Sequence, residues 1–148
     1  MNAKYVVVED YWIKIRENLY MLVERAFVYD GASGVYDVCM VASASHDRLY
    51  KRQEVTVTDG KGHFHTIKLS RKLSDKIYRN LLPKSLILIR KVRYIGLRLF
   101  GGFSYNKKDA LFLNRLPNIP HRKCYHQVEC YILYDGRLYK RRFEYIKL

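Results

Sequence analysis

Residues 54–69 read Glu54-Val-Thr-Val-Thr-Asp-Gly-Lys-Gly-His-Phe-His-Thr-Ile-Lys-Leu69, and this stretch decides the fold class that the sequence predicts. Val55 and Val57 alternate with polar residues, which places both on one face of a strand. Asp59-Gly60 is a strong signal for a tight turn, and the chain resumes as a second strand after it. The stretch therefore predicts a β-hairpin.

The segments on either side of this hairpin predict a small β-rich unit with one helix. Ser70 can cap a helix that Pro83 stops. The apolar run from Ser85 to Ile95 then favours a long strand. Before the hairpin, residues 35–44 are apolar and partly β-branched, which predicts a strand followed by a polar loop.

Both ends of the chain carry additional elements. A short strand is expected at residues 5–8. Apolar residues then recur at steps of three and four between residues 10 and 25, which predicts an N-terminal amphipathic helix. The apolar stripe is most simply explained by core packing, and its alternative use is to dock a partner. The candidate docking residues are Trp12, Ile15, Leu19 and Leu22. At the other end, Asp135-Gly136 lies between two alternating segments, 125–134 and 137–146, which predicts a closing hairpin.

The central part of the chain resembles the single-stranded-DNA-binding OB domains of the replication protein A type, a group that includes telomere-capping OB subunits. The resemblance is carried by the hairpin, by the helix up to Pro83 and by the segment that follows, Lys84-Ser-Leu-Ile-Leu-Ile-Arg-Lys-Val92. The resemblance covers about residues 35–100. It implies a mainly β fold: a five-stranded OB-type barrel with a helix between strands 3 and 4. With the predicted ends, residues 1–148 form a single domain, divided into an N-terminal extension (1–34), the barrel (35–116) and a C-terminal hairpin (117–148).

Charge is distributed unevenly along the chain. Residues 1–47 carry four Lys/Arg against seven Asp/Glu, whereas residues 48–148 carry 24 against seven, and the whole chain has a net charge of +14. Tyr and Phe are interleaved with the basic residues, a combination expected for a polyanion partner, most often nucleic acid. The residues alone leave open that the cations only solvate the surface and the aromatics fill the core.

Two loops, the strand predicted over residues 85–95 and the last strand supply the candidate contacts to nucleic acid. In OB folds the ligand crosses the second and third strands and the flanking loops, which here fall at about residues 45–52 and 96–109. In the last strand, alternation places Arg137, Tyr139 and Arg141 on one face, which suits nucleic-acid contact or a charged edge strand. The predicted contacts are Arg48, Tyr50, Lys51, Arg52, Arg90, Arg93, Arg98, Phe103, Tyr105, Lys107, Lys108, Arg137, Tyr139 and Arg141.

Catalytic and metal signals are weak. The 14 acidic residues are scattered rather than clustered, so a metal-dependent nuclease is not favoured, and no catalytic residue or cofactor is predicted. A set of His and Cys residues fits no standard zinc-finger spacing, and buried thiols are the favoured interpretation. Metal binding by this set stays open: His121, Cys124, His126 and Cys130.

The sequence thus predicts a non-catalytic protein that binds single-stranded nucleic acid, with DNA favoured. By resemblance it would belong to a replication or telomere-protection complex, with a protein partner or as a homo-oligomer. The alternatives are a structural OB subunit that mediates assembly and a small viral nucleic-acid-binding or coat protein. The chain has three cysteines, no apolar run long enough to cross a bilayer and no signal-peptide pattern. These features predict an intracellular protein without a membrane partner. It would be nuclear if eukaryotic and otherwise cytoplasmic.

Overall fold

The computed structural model describes residues 4–30, 39–103, 105, 110–124 and 128–148. Within these residues the chain forms eleven strands and three α-helices, with a 3₁₀ turn at Gly101–Phe103. The strands are β1 (Lys4–Val7), β2 (Tyr11–Arg16), β3 (Leu19–Val23), β4 (Phe27–Asp30), β5 (Glu54–Thr58), β6 (Phe64–Lys68), β7 (Leu111–Phe112), β8 (Arg122–Lys123), β9 (Cys130–Tyr134), β10 (Arg137–Lys140) and β11 (Glu144–Lys147). The helices are α1 (Met40–Lys51), α2 (Arg71–Leu81) and α3 (Ile87–Phe100).

The strands form two antiparallel sheets. The first has the order β7-β4-β1-β11-β8, and the second has the order β10-β9-β2-β3-β5-β6. Helix α1 packs against β4 and β3, α2 packs on α1, and α3 packs on α2. A mainly β fold is thereby confirmed, whereas a closed five-stranded barrel is not seen among the described strands. None of the described helices is long and apolar enough to cross a membrane.

The second sheet curls strongly about one of its faces. Trp12 on β2 and Phe64 on β6 lie three strands apart, about 14 Å in a flat sheet, yet their ring centroids are only 5.6 Å apart. A Cβ placed on Gly60, in the β5–β6 turn, would lie 3.5 Å from Leu138 on the opposite edge strand β10. The curl therefore covers this face and leaves Trp12 only 5% exposed.

The predicted central hairpin is confirmed as β5 and β6. Val55 pairs with Ile67 across the two strands. Val55 and Val57 are both buried in the core. In the turn, the carboxylate of Asp59 accepts a hydrogen bond from the Lys61 N–H at 2.7 Å. This bond is the main reason that the pKa of Asp59 is lowered to about 2.

The predicted N-terminal helix is wrong, because residues 11–23 form the β2–β3 hairpin. The stretch is rich in Tyr, Trp, Ile and Val, which favour strands, and its apolar residues also fit an alternating pattern. Asn18 makes the turn with a φ of 56°. In consequence the four predicted docking residues share no stripe: Trp12 pairs with Leu22 on the curled face, whereas Ile15 and Leu19 pack against the main core.

The strand predicted over residues 35–44 and the loop predicted over residues 45–52 are also wrong in the described part of the chain. Residues 40–51 form helix α1 instead. Residues 35–38 lie outside the described residues. Ala42, Ala44 and Ser45 are fully buried, and their small side chains allow the helix close to its neighbours. The Ser45 hydroxyl donates to the Val41 carbonyl at 2.8 Å, so its burial leaves no unsatisfied donor.

Helix α2 is confirmed, and the strand predicted after it is wrong. The Ser70 hydroxyl accepts a hydrogen bond from the Leu73 N–H at 3.2 Å, and the helix ends before Pro83. The run predicted as a strand over residues 85–95 lies in helix α3. Its Leu, Arg and Lys residues favour helix over strand, and its length exceeds that of a typical strand.

The C-terminal hairpin is confirmed as β9 and β10, with positive φ angles at Asp135 and Gly136. The strand predicted over residues 137–146 is interrupted, because the chain passes from the second sheet to the first between β10 and β11. Phe143 is buried at this crossing and contacts Tyr11, with ring centroids 4.9 Å apart. The structure does not describe residues 106–109 of the loop predicted at 96–109, nor residues 125–127 of the segment predicted as a strand over 125–134.

Candidate nucleic-acid interface

Two exposed tyrosines lie on one face of the β9–β10 hairpin. Tyr134 is 70% exposed and Tyr139 is 47% exposed, and their ring centroids are 6.4 Å apart at an interplanar angle of 61°. The rings therefore do not stack on each other, and their faces stay accessible. Cross-strand pairing and alternation place Arg137 and Arg141 on the same face. These four residues are called the tyrosine platform below.

The guanidinium groups of the tyrosine platform are accessible. Arg137 is exposed and forms no ion pair with any residue that the structure describes. Arg141 forms an ion pair with Glu9 at 3.0 Å, but both side chains are more than a third exposed. Exposed pairs of this kind contribute little to stability, so the pair is easily exchanged for a phosphate.

Further cations lie along the edges next to the platform. Arg142 follows directly in the crossing between the sheets and is exposed. Beyond the crossing, β11 pairs with the edge strand β8, which places Arg122 opposite Tyr145 and Lys123 opposite Glu144. Exposed cations therefore occur on both sheets near this crossing.

The aromatic side chain on the opposite face of the same hairpin is Tyr131, which is half-buried. Tyr131 contacts Tyr20 edge-on, with ring centroids 5.2 Å apart. Its hydroxyl donates to Glu129 at 2.6 Å, which is the main cause that raises the pKa of Tyr131 to about 12. Only the platform side of the hairpin therefore offers aromatic rings to a ligand.

The predicted contacts on helix α1 serve mainly internal packing. Arg48 is 5% exposed and makes two hydrogen bonds to the Glu24 carboxylate, at 2.7 and 2.8 Å. Lys51 donates to the Val28 carbonyl at 3.1 Å. Arg52, at the end of the helix, is exposed. Of these three cations, only Arg52 is free to meet a ligand at the surface.

The predicted contacts on helix α3 point towards α2. Arg90 donates to the Arg79 carbonyl at 2.9 Å, and Arg93 donates to the Tyr78 hydroxyl at 3.1 Å. Arg98 donates to Asp75 at 2.9 Å. These three arginines are half-buried and hold the two helices together, a role that sequence patterning did not indicate.

Asp75 joins all three helices. Its side chain is fully buried and accepts hydrogen bonds from His46 at 3.0 Å and Tyr50 at 2.5 Å, both on α1, in addition to Arg98 on α3. Burial by itself would raise the pKa of Asp75, but the donated hydrogen bonds outweigh it and the pKa is lowered. Burial, followed by the bond to Asp75, raises the pKa of Tyr50. Tyr50, predicted as a stacking residue, is therefore part of the interior.

The remaining predicted contacts fall at or beyond the end of α3. The Tyr105 hydroxyl donates to the Leu69 carbonyl at 3.3 Å, and its ring meets Tyr50 edge-on at 5.2 Å. Lys107, Lys108 and the side chain of Phe103 lie outside the described residues.

The candidate metal ligands do not form a cluster in the described part of the chain. Cys124 and Cys130 are buried, and His121 contacts Glu144 at 3.3 Å. No group of three or more His, Cys, Asp or Glu side chains among the described residues could hold a metal ion. His126 lies outside those residues.

No protein-family model, curated protein or solved structure matches this chain. Functional inference therefore depends on the chain's own residues and geometry.

Sequence reasoning identified three of the four platform residues and missed Tyr134. The signal that reveals it is the two-residue turn at Asp135-Gly136, which pairs Tyr134 directly with Arg137. Alternation then places Tyr134 on the face that also carries Tyr139.

Proposed function

We propose that this protein binds single-stranded nucleic acid without catalysing a reaction, and that the tyrosine platform is the contact surface. The observation that carries the proposal is the pair of exposed rings, Tyr134 and Tyr139, flanked on the same face by two arginines. By the resemblance described above, DNA is favoured over RNA, and a replication or telomere-protection complex is the proposed setting.

The chemistry of the tyrosine platform favours a single strand. Unpaired bases expose their faces, and a base stacked on an aromatic ring contributes about 1–3 kcal/mol. In a duplex those faces are already covered, so the rings have nothing to stack on. Arginines beside the rings can neutralise phosphates and add cation–π contacts.

The charge of the chain supports the same ligand class. Residues 48–148 have an excess of 17 positive charges, and the exposed cations of the edge strands continue the surface on both sides of Arg141. A field of this sign raises the rate and strength of association with polyanions.

The tyrosine platform lies on the convex face of the curled second sheet, because the strand register places it opposite the face that carries Trp12. Cys130 and Ile132 on the same face pack into the core, so the platform is the exposed end of that face. The proposed ligand therefore contacts the end of the β9–β10 hairpin.

The test is fluorescence anisotropy with a labelled single-stranded oligonucleotide and two alanine variants. Tyr134→Ala and Tyr139→Ala should each weaken binding by about tenfold, which corresponds to roughly 1.4 kcal/mol. Phe100→Ala is the matched control, because Phe100 is 67% exposed, close to the 70% of Tyr134, but lies on α3. If both tyrosine variants bind as tightly as the native protein, the tyrosine platform is not the contact surface.

Arg137→Gln tests the phosphate contact. It should lower the slope of log K against log salt by about one. Arg25→Gln is the control, since Arg25 is exposed but belongs to the acidic N-terminal part of the chain. Equal slopes for the two variants would contradict a phosphate contact at Arg137.

A further inference from the structure

Helix α3 exposes an apolar stripe. None of its fourteen residues is buried. Leu88, Val92, Ile95 and Leu99 are between 55% and 74% exposed, and their spacing of four, three and four residues places them on one side of the helix. These four residues are called the α3 stripe.

The inward side of the same helix carries arginines beside Leu97, which packs against the core, whereas an ordinary surface helix turns its cations to solvent. Arg90, Arg93 and Arg98 turn inward and bind groups on α2. Arg71 donates in turn to the Leu97 and Arg98 carbonyls, both at 3.3 Å. Because the polar contacts already fix the orientation of α3, its apolar stripe stays in solvent.

The spacing of the α3 stripe fits another helix. Apolar residues at alternating steps of four and three form the seam of a two-stranded coiled coil. From Leu88 to Leu99 the stripe spans about 16 Å, or three helical turns. A Cβ placed on Gly96, beside the stripe, would meet no atom within 4 Å. A second helix can therefore approach closely there.

The charge around the α3 stripe selects an acidic partner. Residues 71–100 contain nine Lys/Arg and a single acid, Asp75, which is buried and already paired with Arg98. Lys91 is exposed beside the stripe, and Lys84 is exposed in the segment just before the helix. A second copy of this chain would bring an equal positive charge to the contact and be repelled, whereas Asp and Glu flanking an apolar seam would be attracted.

We propose that the α3 stripe docks an amphipathic α-helix of a partner protein, with an apolar seam flanked by acidic residues. This surface is separate from the tyrosine platform and does not depend on nucleic-acid binding. One protein would thereby hold a polyanion on its C-terminal hairpin and a protein partner on α3.

The test uses a labelled synthetic peptide of about 21 residues, three heptads with Leu at the seam and Glu beside it. The native protein should bind this peptide, and the variant Val92→Gln/Ile95→Gln should bind about tenfold more weakly, because two apolar contacts are lost. Both positions are exposed, so the variant should retain the native circular dichroism spectrum. Ile119→Gln, an exposed apolar residue outside the helix, should bind as the native protein does.

The proposal is overturned if the native protein and the double variant bind the acidic peptide equally, or if neither binds it. Equal binding of a peptide with Lys in place of Glu would contradict the selection by charge. A dimer in analytical ultracentrifugation that the double variant abolishes would assign the stripe to self-association. Binding of phosphatidylserine vesicles by the native protein but not by the double variant, with no binding of the peptide, would assign the stripe to lipid.

Discussion

Replacing Asp75 by Asn should destabilise the protein strongly. The carboxylate is fully buried and accepts hydrogen bonds from three donors, one each from His46, Tyr50 and Arg98. Asparagine has the same shape but carries no negative charge opposite Arg98. Its NH₂ group is itself a donor, so it cannot accept the hydrogen bonds that one carboxylate oxygen accepts in the native protein. Removing one partner of a buried ion pair costs about 3–5 kcal/mol, so the free energy of unfolding should fall by that amount.

Urea unfolding followed by far-ultraviolet circular dichroism measures this loss. For a chain of this length the same change lowers Tm by roughly 10 °C. Asp135→Asn is the control, because Asp135 is exposed in a turn where Asn is equally suitable, and its stability should change by less than about 0.5 kcal/mol. A loss below about 1 kcal/mol for Asp75→Asn would refute the account of Asp75 as the residue that joins the three helices.

The pH dependence of the same variant has a definite sign. The pKa of Asp75 is below its ordinary value of 3.8 in the folded protein. The stabilisation from its charge is therefore present above the unfolded-state pKa, about 3.9, and is lost as the pH falls through the lower, folded-state pKa. The difference in stability between the native protein and Asp75→Asn should accordingly shrink below about pH 4. A difference that grows as the pH falls in this range would contradict the assignment.

Three further changes have expected outcomes. Gly101→Ala should lower the stability by about 1–3 kcal/mol in thermal unfolding, because its Cβ would lie 2.5 Å from the Tyr50 hydroxyl; an unchanged Tm would contradict that close approach. Arg48→Ala should lower the free energy of unfolding by about 3 kcal/mol, because it leaves Glu24 without its bidentate partner; a folded, fully stable variant with reduced oligonucleotide affinity would instead show a surface role. The three cysteines are buried and form no disulfide, so a thiol reagent should modify them only after unfolding; rapid modification of the native protein would contradict their burial.

The sequence predicted those parts of the fold that local chemistry determines. The Asp59-Gly60 turn and the helix between Ser70 and Pro83 carry their signals within a few residues, and both are confirmed. Residues 10–25 fit both a helical and an alternating period, and pairing with distant strands decided in favour of strands. Helix α3 could not be recognised because three of its four cations face inward, which departs from the usual amphipathic pattern.

The candidate site, like the fold, was predictable only where a local sequence pattern determines the position of a residue. Arg137 and Tyr139 were predictable because alternation along one strand determines their face. The burial of Arg48 and Tyr50 was not, because it depends on Glu24 and Asp75, which lie 24 and 25 residues away in the sequence. Contacts at that distance are established by tertiary packing and leave no local pattern.

The most direct test of the central claim compares a labelled single-stranded oligonucleotide with its duplex over a range of salt concentrations, by fluorescence anisotropy. The account predicts tighter binding of the single strand, with an affinity that falls linearly in log K against log salt. The loss of affinity in Tyr134→Ala should persist at high salt, since stacking is not screened. Absence of binding to either ligand, or a preference for the duplex, would contradict the account.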